Sequence, residues 1–420
     1  MGLELAVRRR VTAVMVKKYR KVSRTERSRI LDHLCEVTGW HRDHARKALR
    51  QAMTATPDQP PPARRARTPV LTYGPQTIDA LRKVWAVLDG PTGKRLAPIM
   101  AELVASLRRH GELDITDEVA AALISMSAAT IDRRLSGDRA DLSSGRGRTL
   151  TKPGSLLKSQ IPMRTWADWD EHTPGFLEID LVGHDGGDVN GEYCFTLTGT
   201  DIATGWTETR TVRNKAAKWV FLALVDIQAQ LPFPVLGIDS DNGSEFINKH
   251  LLTWCLDHHI TFTRSRPNNS NDGCHVEQKN WAVARRTVGY WRYDTAREMA
   301  VLNQIWTALS PLTNLFTPQQ KLISKTRVGA KVTKRYDTAT TPYQRLLQHP
   351  DALDDIDTRL LAKRFETTNP AQTRRDVSDL QATLLRMVAH KNITRRGKQN
   401  AVYLSRAKLD ESTKHHPRAS

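Results

Sequence analysis

Three acidic residues constrain this chain more than any other feature. They are Asp180 in Gly-Phe-Leu-Glu-Ile-Asp-Leu-Val, Asp241 in Ile-Asp-Ser-Asp-Asn-Gly-Ser-Glu-Phe, and Glu277 in Cys-His-Val-Glu-Gln-Lys-Asn. The first two interrupt or end apolar runs that read as strands, and the third opens a helical stretch, with 35 residues between Asp241 and Glu277. Carboxylates presented this way can converge on a pair of divalent ions, which two-metal phosphoryl-transfer sites hold about 3.5–4 Å apart. Side chains alternate along a strand, so Glu178 shares a face with Asp180 and Asp239 with Asp241, and periodicity alone leaves both choices open. The Asn242-Gly243 turn that follows decides for Asp241.

The segments between these residues have regular patterns. Runs 176–182, 193–200 and 206–212 are rich in β-branched and aromatic residues and are separated by Gly or Asp turns, which predicts three strands. Residues 215–230 read as a helix with Trp219, Leu222, Ala223 and Ile227 on one face, followed by a strand at 235–239, a helix at 245–258, a strand at 260–264 and a helix from Glu277.

This order, the Asp-Asn-Gly with a downstream Phe246, the 35-residue gap and Asn280 three residues after Glu277 resemble the DDE transposases and retroviral-type integrases. The resemblance covers about 176–293. It implies an α/β, ribonuclease H-like catalytic core with a mixed five-stranded sheet and flanking helices. It also implies a bacterial insertion-sequence transposase in which Asp180, Asp241 and Glu277 hold two Mg²⁺ ions, with Mn²⁺ able to substitute. Asp180 would bridge both ions and select itself over Glu178 by the family pattern. The loop 267–273 corresponds to a mobile active-site loop, and the multimer would act on terminal inverted repeats and target DNA. Lys279, Asn280, Arg285 and Arg286 follow Glu277 on its helix, where side chains can hold phosphates. Integrases carry Lys four and seven residues after the Glu. Here those positions are Trp281 and Ala284, so those DNA contacts do not carry over. The alternatives are a ribonuclease H-fold nuclease that only hydrolyses and a domesticated DNA-binding regulator without catalysis.

Charge points to the same partner. The 64 Lys and Arg against 45 Asp and Glu give a net charge of +19, which favours a polyanion. Residues 1–75 hold 17 of the cations against 6 acids, so binding and chemistry look divided between domains. Within that segment Ile30, Leu34 and Val37 recur at helical spacing, Thr38-Gly39-Trp40 interrupts, and 41–51 resumes with Ala45, Ala48 and Leu49 inward and Arg42, Arg46, Lys47 and Arg50 outward. This is a helix-turn-helix pattern whose second helix would enter the major groove. A second such pattern spans 116–135, with a break at 125–127.

The expected organisation is an all-α helix-turn-helix domain at 1–56, a basic Pro-rich linker at 57–72, a second helical domain at 73–142 and a connector at 143–171. The catalytic core follows at 172–310, and a small basic C-terminal region with a partly disordered end at 311–420. Within the last, 328–336 reads as a basic, partly alternating β element able to contact DNA. No run approaches the length of a membrane span, and the N-terminus meets charge before a signal core forms, which predicts a cytoplasmic, nucleoid-associated protein. Cys35, Cys194, Cys255 and Cys274 are widely spaced without Cys-x-x-Cys, as expected of reduced thiols. His33, Cys35, His41 and His44 cluster but lack a second Cys pair, so zinc is not expected there.

Overall fold

The computed structural model describes residues 4–54, 73–141, 172–241, 243–264, 274–328 and 331–413. The linker at 57–72, the whole connector at 143–171, the loop 267–273, Asn242 and the last seven residues lie outside them. Two compact units divide the chain, Met1–Thr72 and Tyr73–Ser420. No helix among the described residues is long and apolar enough to cross a membrane.

The first unit holds three helices, α1 (Leu5–Tyr19), α2 (Arg24–Thr38) and α3 (Arg42–Thr54). A capping box between Ser23 and Glu26 starts α2, and Gly39 ends it in the left-handed conformation (φ 68°), which costs glycine least. Val16, Leu31, Leu34, Ala45 and Leu49 form its core. The buried stripe of α2 is therefore Leu31, Leu34 and Thr38, whereas the sequence pattern selected Ile30, Leu34 and Val37. Val37 is exposed because the stripe follows contacts with α1 and α3, and α1 was not read from the sequence.

In the second unit α4 (Pro75–Val87), α5 (Gly93–Arg109), α6 (Asp117–Ile124), α7 (Ala128–Arg134) and α8 (Ser136–Asp141) precede the sheet. Side-chain caps from Thr116 and Ser127 start α6 and α7. The sheet comprises β1 (Phe176–Gly183), β2 (Phe195–Asp201), β3 (Thr207–Val212), β4 (Gly237–Ser240) and β5 (Thr261–Arg264), with α9 (Ala217–Gln228) and α10 (Lys249–Asp257) between β3 and β5. Its order is β3-β2-β1-β4-β5, antiparallel across β3, β2 and β1 and parallel across β1, β4 and β5. This is the expected five-stranded, ribonuclease H-like α/β core.

Alternation along the strands gives the sheet two chemically different faces. Leu177, Ile179, Leu197, Ile238 and Phe262 pack with α9 and α10. The opposite face carries Glu178, Asp180, Thr196, Thr198, Thr200 and Asp239, with Thr198 opposite Asp180 and Thr200 opposite Glu178. On α9 the buried stripe is Val220, Ala223, Leu224 and Ile227, and Leu222, expected inside, is exposed. The helix rotates toward the apolar face of the sheet to bury the i, i+3, i+4, i+7 set.

Beyond the sheet come α11 (Cys274–Lys279), a π-helical stretch Asn280–Arg285, α12 (Arg286–Val288), α13 (Ala296–Pro311), a second π-helical stretch Leu312–Phe316, the hairpin β6 (Leu322–Val328) and β7 (Lys331–Tyr336), α14 (Pro342–Leu346), α15 (Asp355–Thr367) and α16 (Pro370–Thr413). One cluster of buried apolar side chains joins α4–α7 to α13 and α16, so the helical segment at 73–142 shares its core with the rest of this unit. Lys391 on α16 donates to Asp294 (2.9 Å), Glu298 (2.7 Å) and the Arg292 carbonyl (2.8 Å), fixing the long helix to the start of α13.

A polar chain is buried on the carboxylate face. His184 Nε2 meets Thr196 Oγ1 at 2.7 Å, Thr196 meets Thr211 at 2.8 Å, and Trp306 Nε1 donates to Thr211 at 2.6 Å. Burial first, and the nearby Arg285 second, push the His184 pKa down to about 3. The unfolded chain protonates this residue near pH 6.5, so its contribution to stability is present above that pH and is lost as pH falls toward 3. We expect stability to fall by about 1.4 kcal/mol per pH unit below about 6.5 from this group. Denaturant titrations of wild type and His184→Gln at pH 7.5 and 5.5 check this, since the variant should lack that increment.

Candidate active site

Asp180 lies near the middle of β1, half-buried on the polar face. Its Oδ1 accepts from the Leu181 amide and its Oδ2 from Asn280 Nδ2, both at 2.7 Å. The parallel pairing of Glu178 with Asp239 brings β4 alongside, and Asp241 follows one residue past the strand, exposed. Its Oδ1 accepts from the Gly243 amide at 2.8 Å, an Asx-type turn that fixes the carboxylate against the following backbone. A Cβ on Gly243 would lie 2.7–2.9 Å from the carboxylate ends of Glu245 and Asp241, so a larger residue there would displace those two side chains. Glu277 is exposed on α11.

These carboxylates sense one another. The Asp180 pKa is pushed up to about 7, first by burial, then by Asp241, with smaller contributions from Glu277 and Glu245, while the Leu181 amide opposes. Glu277 is also raised, by partial burial and by Glu178. The charges of Asp241, Glu277 and Glu245 thus each reach Asp180, and Glu245, which sequence reading missed, lies within the same Asp-Asn-Gly-Ser-Glu run as Asp241. The donor set is all oxygen, which suits a hard cation such as Mg²⁺. Among the described residues no three His, Cys, Asp or Glu side chains are grouped closely enough to hold a metal ion. The fit is one of donor chemistry and charge.

The other two acids are occupied structurally. Glu178 Oε2 accepts from the Val276 amide at 3.1 Å, and Asp239 Oδ1 accepts from Thr263 Oγ1 at 2.6 Å. Glu178 thus holds the first turn of α11, where amides lack helical partners and a carboxylate is favoured, one residue before Glu277.

The helix widens into π geometry from Asn280, a form found mostly at functional sites. Asn280 links this helix to Asp180, and its own Oδ1 is buried without a hydrogen-bond partner. The cations of this helix have acceptors within the fold. Lys279 is half-buried and donates to the Gly205 carbonyl at 3.3 Å, and burial with Arg95, Arg345 and Lys321 pushes its pKa down to about 7. Arg285 donates to the Gly183 carbonyl at 2.6 Å, and Arg286 pairs with Asp89 at 2.6 Å. Each cation finds an internal acceptor because the helix packs onto the core. In the first unit Arg42 pairs with Asp32 and donates to Ser28 at 2.6 Å, and Arg46 pairs with Asp43 at 3.0 Å. Lys47 and Arg50 are exposed.

The sheet order β3-β2-β1-β4-β5 with its flanking helices is that of an integrase-like ribonuclease H fold. Residues 170–270 match the family model of the integrase core domain. The chain belongs to the same family as the uncharacterized protein y4rM of Sinorhizobium fredii (strain NBRC 101917 / NGR234), to which it is 38% identical over 343 residues, 82% of this chain and 96% of that one. Similar solved structures include the catalytic core domain of BIV integrase (17% identity, 42% of this chain, 96% of that chain, TM-score 0.27). The HTLV-2 integrase catalytic core domain in complex with magnesium, in its dimeric form, is another (12%, 42%, 98%, 0.29).

Glu178→Gln keeps an acceptor oxygen and should leave the Val276 amide protected. Glu178→Ala should speed hydrogen exchange across 274–279 by about tenfold or more, the equivalent of one charged hydrogen bond. Exchange mass spectrometry on the two variants distinguishes this positioning role from an idle carboxylate.

Proposed function

We propose that this protein is an insertion-sequence transposase that cleaves and joins DNA at the ends of its element, with Asp180, Asp241 and Glu277 as the ligands of two Mg²⁺ ions. The reading is supported by the effect of the Asp241 and Glu277 charges on Asp180, with Asn280 tying the helix that carries Glu277 to Asp180. The integrase core match over 170–270 supports the reaction class. When bound, the two ions would activate a water or 3′ hydroxyl and neutralise charge on the phosphodiester. The chain's own work is to hold the ligands. The Gly243 amide fixes Asp241, Asn280 orients Asp180, and Glu178 positions the turn that bears Glu277.

The basic excess in 1–75 and the exposed Lys47 and Arg50 support DNA recognition by the first unit, which would bind terminal inverted repeats while the second unit acts. A reaction on two ends calls for a multimer assembled on DNA.

Labelled element ends incubated with the protein and Mg²⁺ or Mn²⁺ should yield joined products. Asp180→Asn, Asp241→Asn and Glu277→Gln should each reduce joining by more than about 100-fold, beyond the loss typical of a residue that only supports a metal ligand, with duplex binding nearly unchanged. Cleavage without any joined product would make the protein a hydrolytic nuclease, and an equal loss in Asp239→Asn would reassign the second ligand.

A further inference from the structure

The β6–β7 hairpin is the least covered element of the second unit. Every strand residue from 322 to 327 and from 332 to 336 is exposed, so both faces meet solvent. An isolated two-stranded ribbon is marginal in water, and packing against another element would stabilise it. Its sequence, Leu-Ile-Ser-Lys-Thr-Arg-Val-Gly-Ala-Lys-Val-Thr-Lys-Arg-Tyr, has five Lys or Arg and no acid. Lys325 stands directly opposite Lys334, with Arg335 opposite Ser324 and Arg327 opposite Val332. Like charges directly across a ladder are destabilising, and nothing in the fold offsets them, since Lys325, Arg327, Lys334 and Arg335 have no acidic partner among the described residues.

The root of the hairpin lies beside the candidate site. Lys321, next to the first residue of β6, donates to the Ala203 carbonyl, and Lys279, two residues past Glu277, donates to the Gly205 carbonyl of the same β2–β3 turn. Arg345 ties the other side by bonds to the Gln319 carbonyl (3.1 Å) and Asp337 (2.7 Å). The ribbon is thus held at its base to the turn that also receives α11.

We propose that this hairpin is a docking surface for duplex DNA, bound through its phosphate backbone without sequence preference. A two-stranded ribbon fits the major groove, and four unpaired cations interleaved with Thr326, Thr333 and Ser324 supply charged and hydroxyl donors to phosphate oxygens. A second copy of the chain is the competing occupant, but pairing two such edges would stack cation on cation.

This inference rests on the reading that the substrate is DNA, and the test separates the two. Binding of the full-length protein to a random-sequence duplex is measured without divalent ions over a salt series, for wild type and for the K325Q/R327Q/K334Q/R335Q variant. Each lost phosphate contact lowers the log–log salt slope by about 0.9, so the variant slope should be shallower by up to roughly 3.6, with weaker binding at low salt. K325R/K334R retains charge and should keep the wild-type slope, as should T326S/T333S, which alters the ribbon without altering charge. An unchanged slope in the four-site variant overturns the proposal while leaving the catalytic reading intact. So does loss of a concentration-dependent dimer with DNA binding unchanged, or an equal loss in T326S/T333S, which would assign the effect to folding. Failure of the wild type to bind any duplex would contradict both readings.

Discussion

Repulsion among carboxylates on one face of a sheet is the constraint around which this molecule is arranged. Strand alternation and the parallel pairing of β1 with β4 place Glu178, Asp180 and Asp239 together, and the turn after β4 adds Asp241. Buried carboxylates are costly unless each is satisfied. Glu178 takes the Val276 amide and Asp239 the Thr263 hydroxyl. Asp180 has Asn280 and the Leu181 amide, yet remains pushed up to about 7. Two acids thus serve the structure, and in the proposed function a cation would balance the charge of Asp180, Asp241 and Glu277.

The same division explains the helix that carries Glu277. Its first turn is fixed by Glu178 and its second by Asn280, so the exposed Glu277 is held from both sides. Lys279, Arg285 and Arg286, which lie on the same stretch, are consumed in bonds to Gly205, Gly183 and Asp89. They serve to seat the helix. Exposed cations for a polyanion are found instead on the β6–β7 ribbon and on α3.

Much of the sheet was legible in the sequence because alternation is a local signal. Strands at 176–182, 193–200 and 206–212 follow from neighbours a few residues apart, and the adjoining Asn242-Gly243 singles out Asp241, whereas only the family resemblance selects Asp180 over Glu178. What the pattern missed is long-range. The inward faces of α2 and α9 differ by a residue because the partner surface, not periodicity alone, decides rotation. The role of Glu178 depends on an amide 98 residues away, and the anchoring of α16 on Lys391 and Glu298 spans 93. Glu245 was passed over because one acid in a turn has no local mark of its neighbours. The boundary after 142 was drawn from composition, which cannot show that α4–α7 and α16 share a core.

The central claim is that Asp180, Asp241 and Glu277 together form a divalent-cation site. Manganese titration followed by electron paramagnetic resonance measures it without relying on turnover. The account predicts saturable Mn²⁺ binding by the wild-type chain that Mg²⁺ displaces and that Asp180→Asn, folded as judged by its melting, abolishes. Equal Mn²⁺ binding by wild type and Asp180→Asn would contradict it.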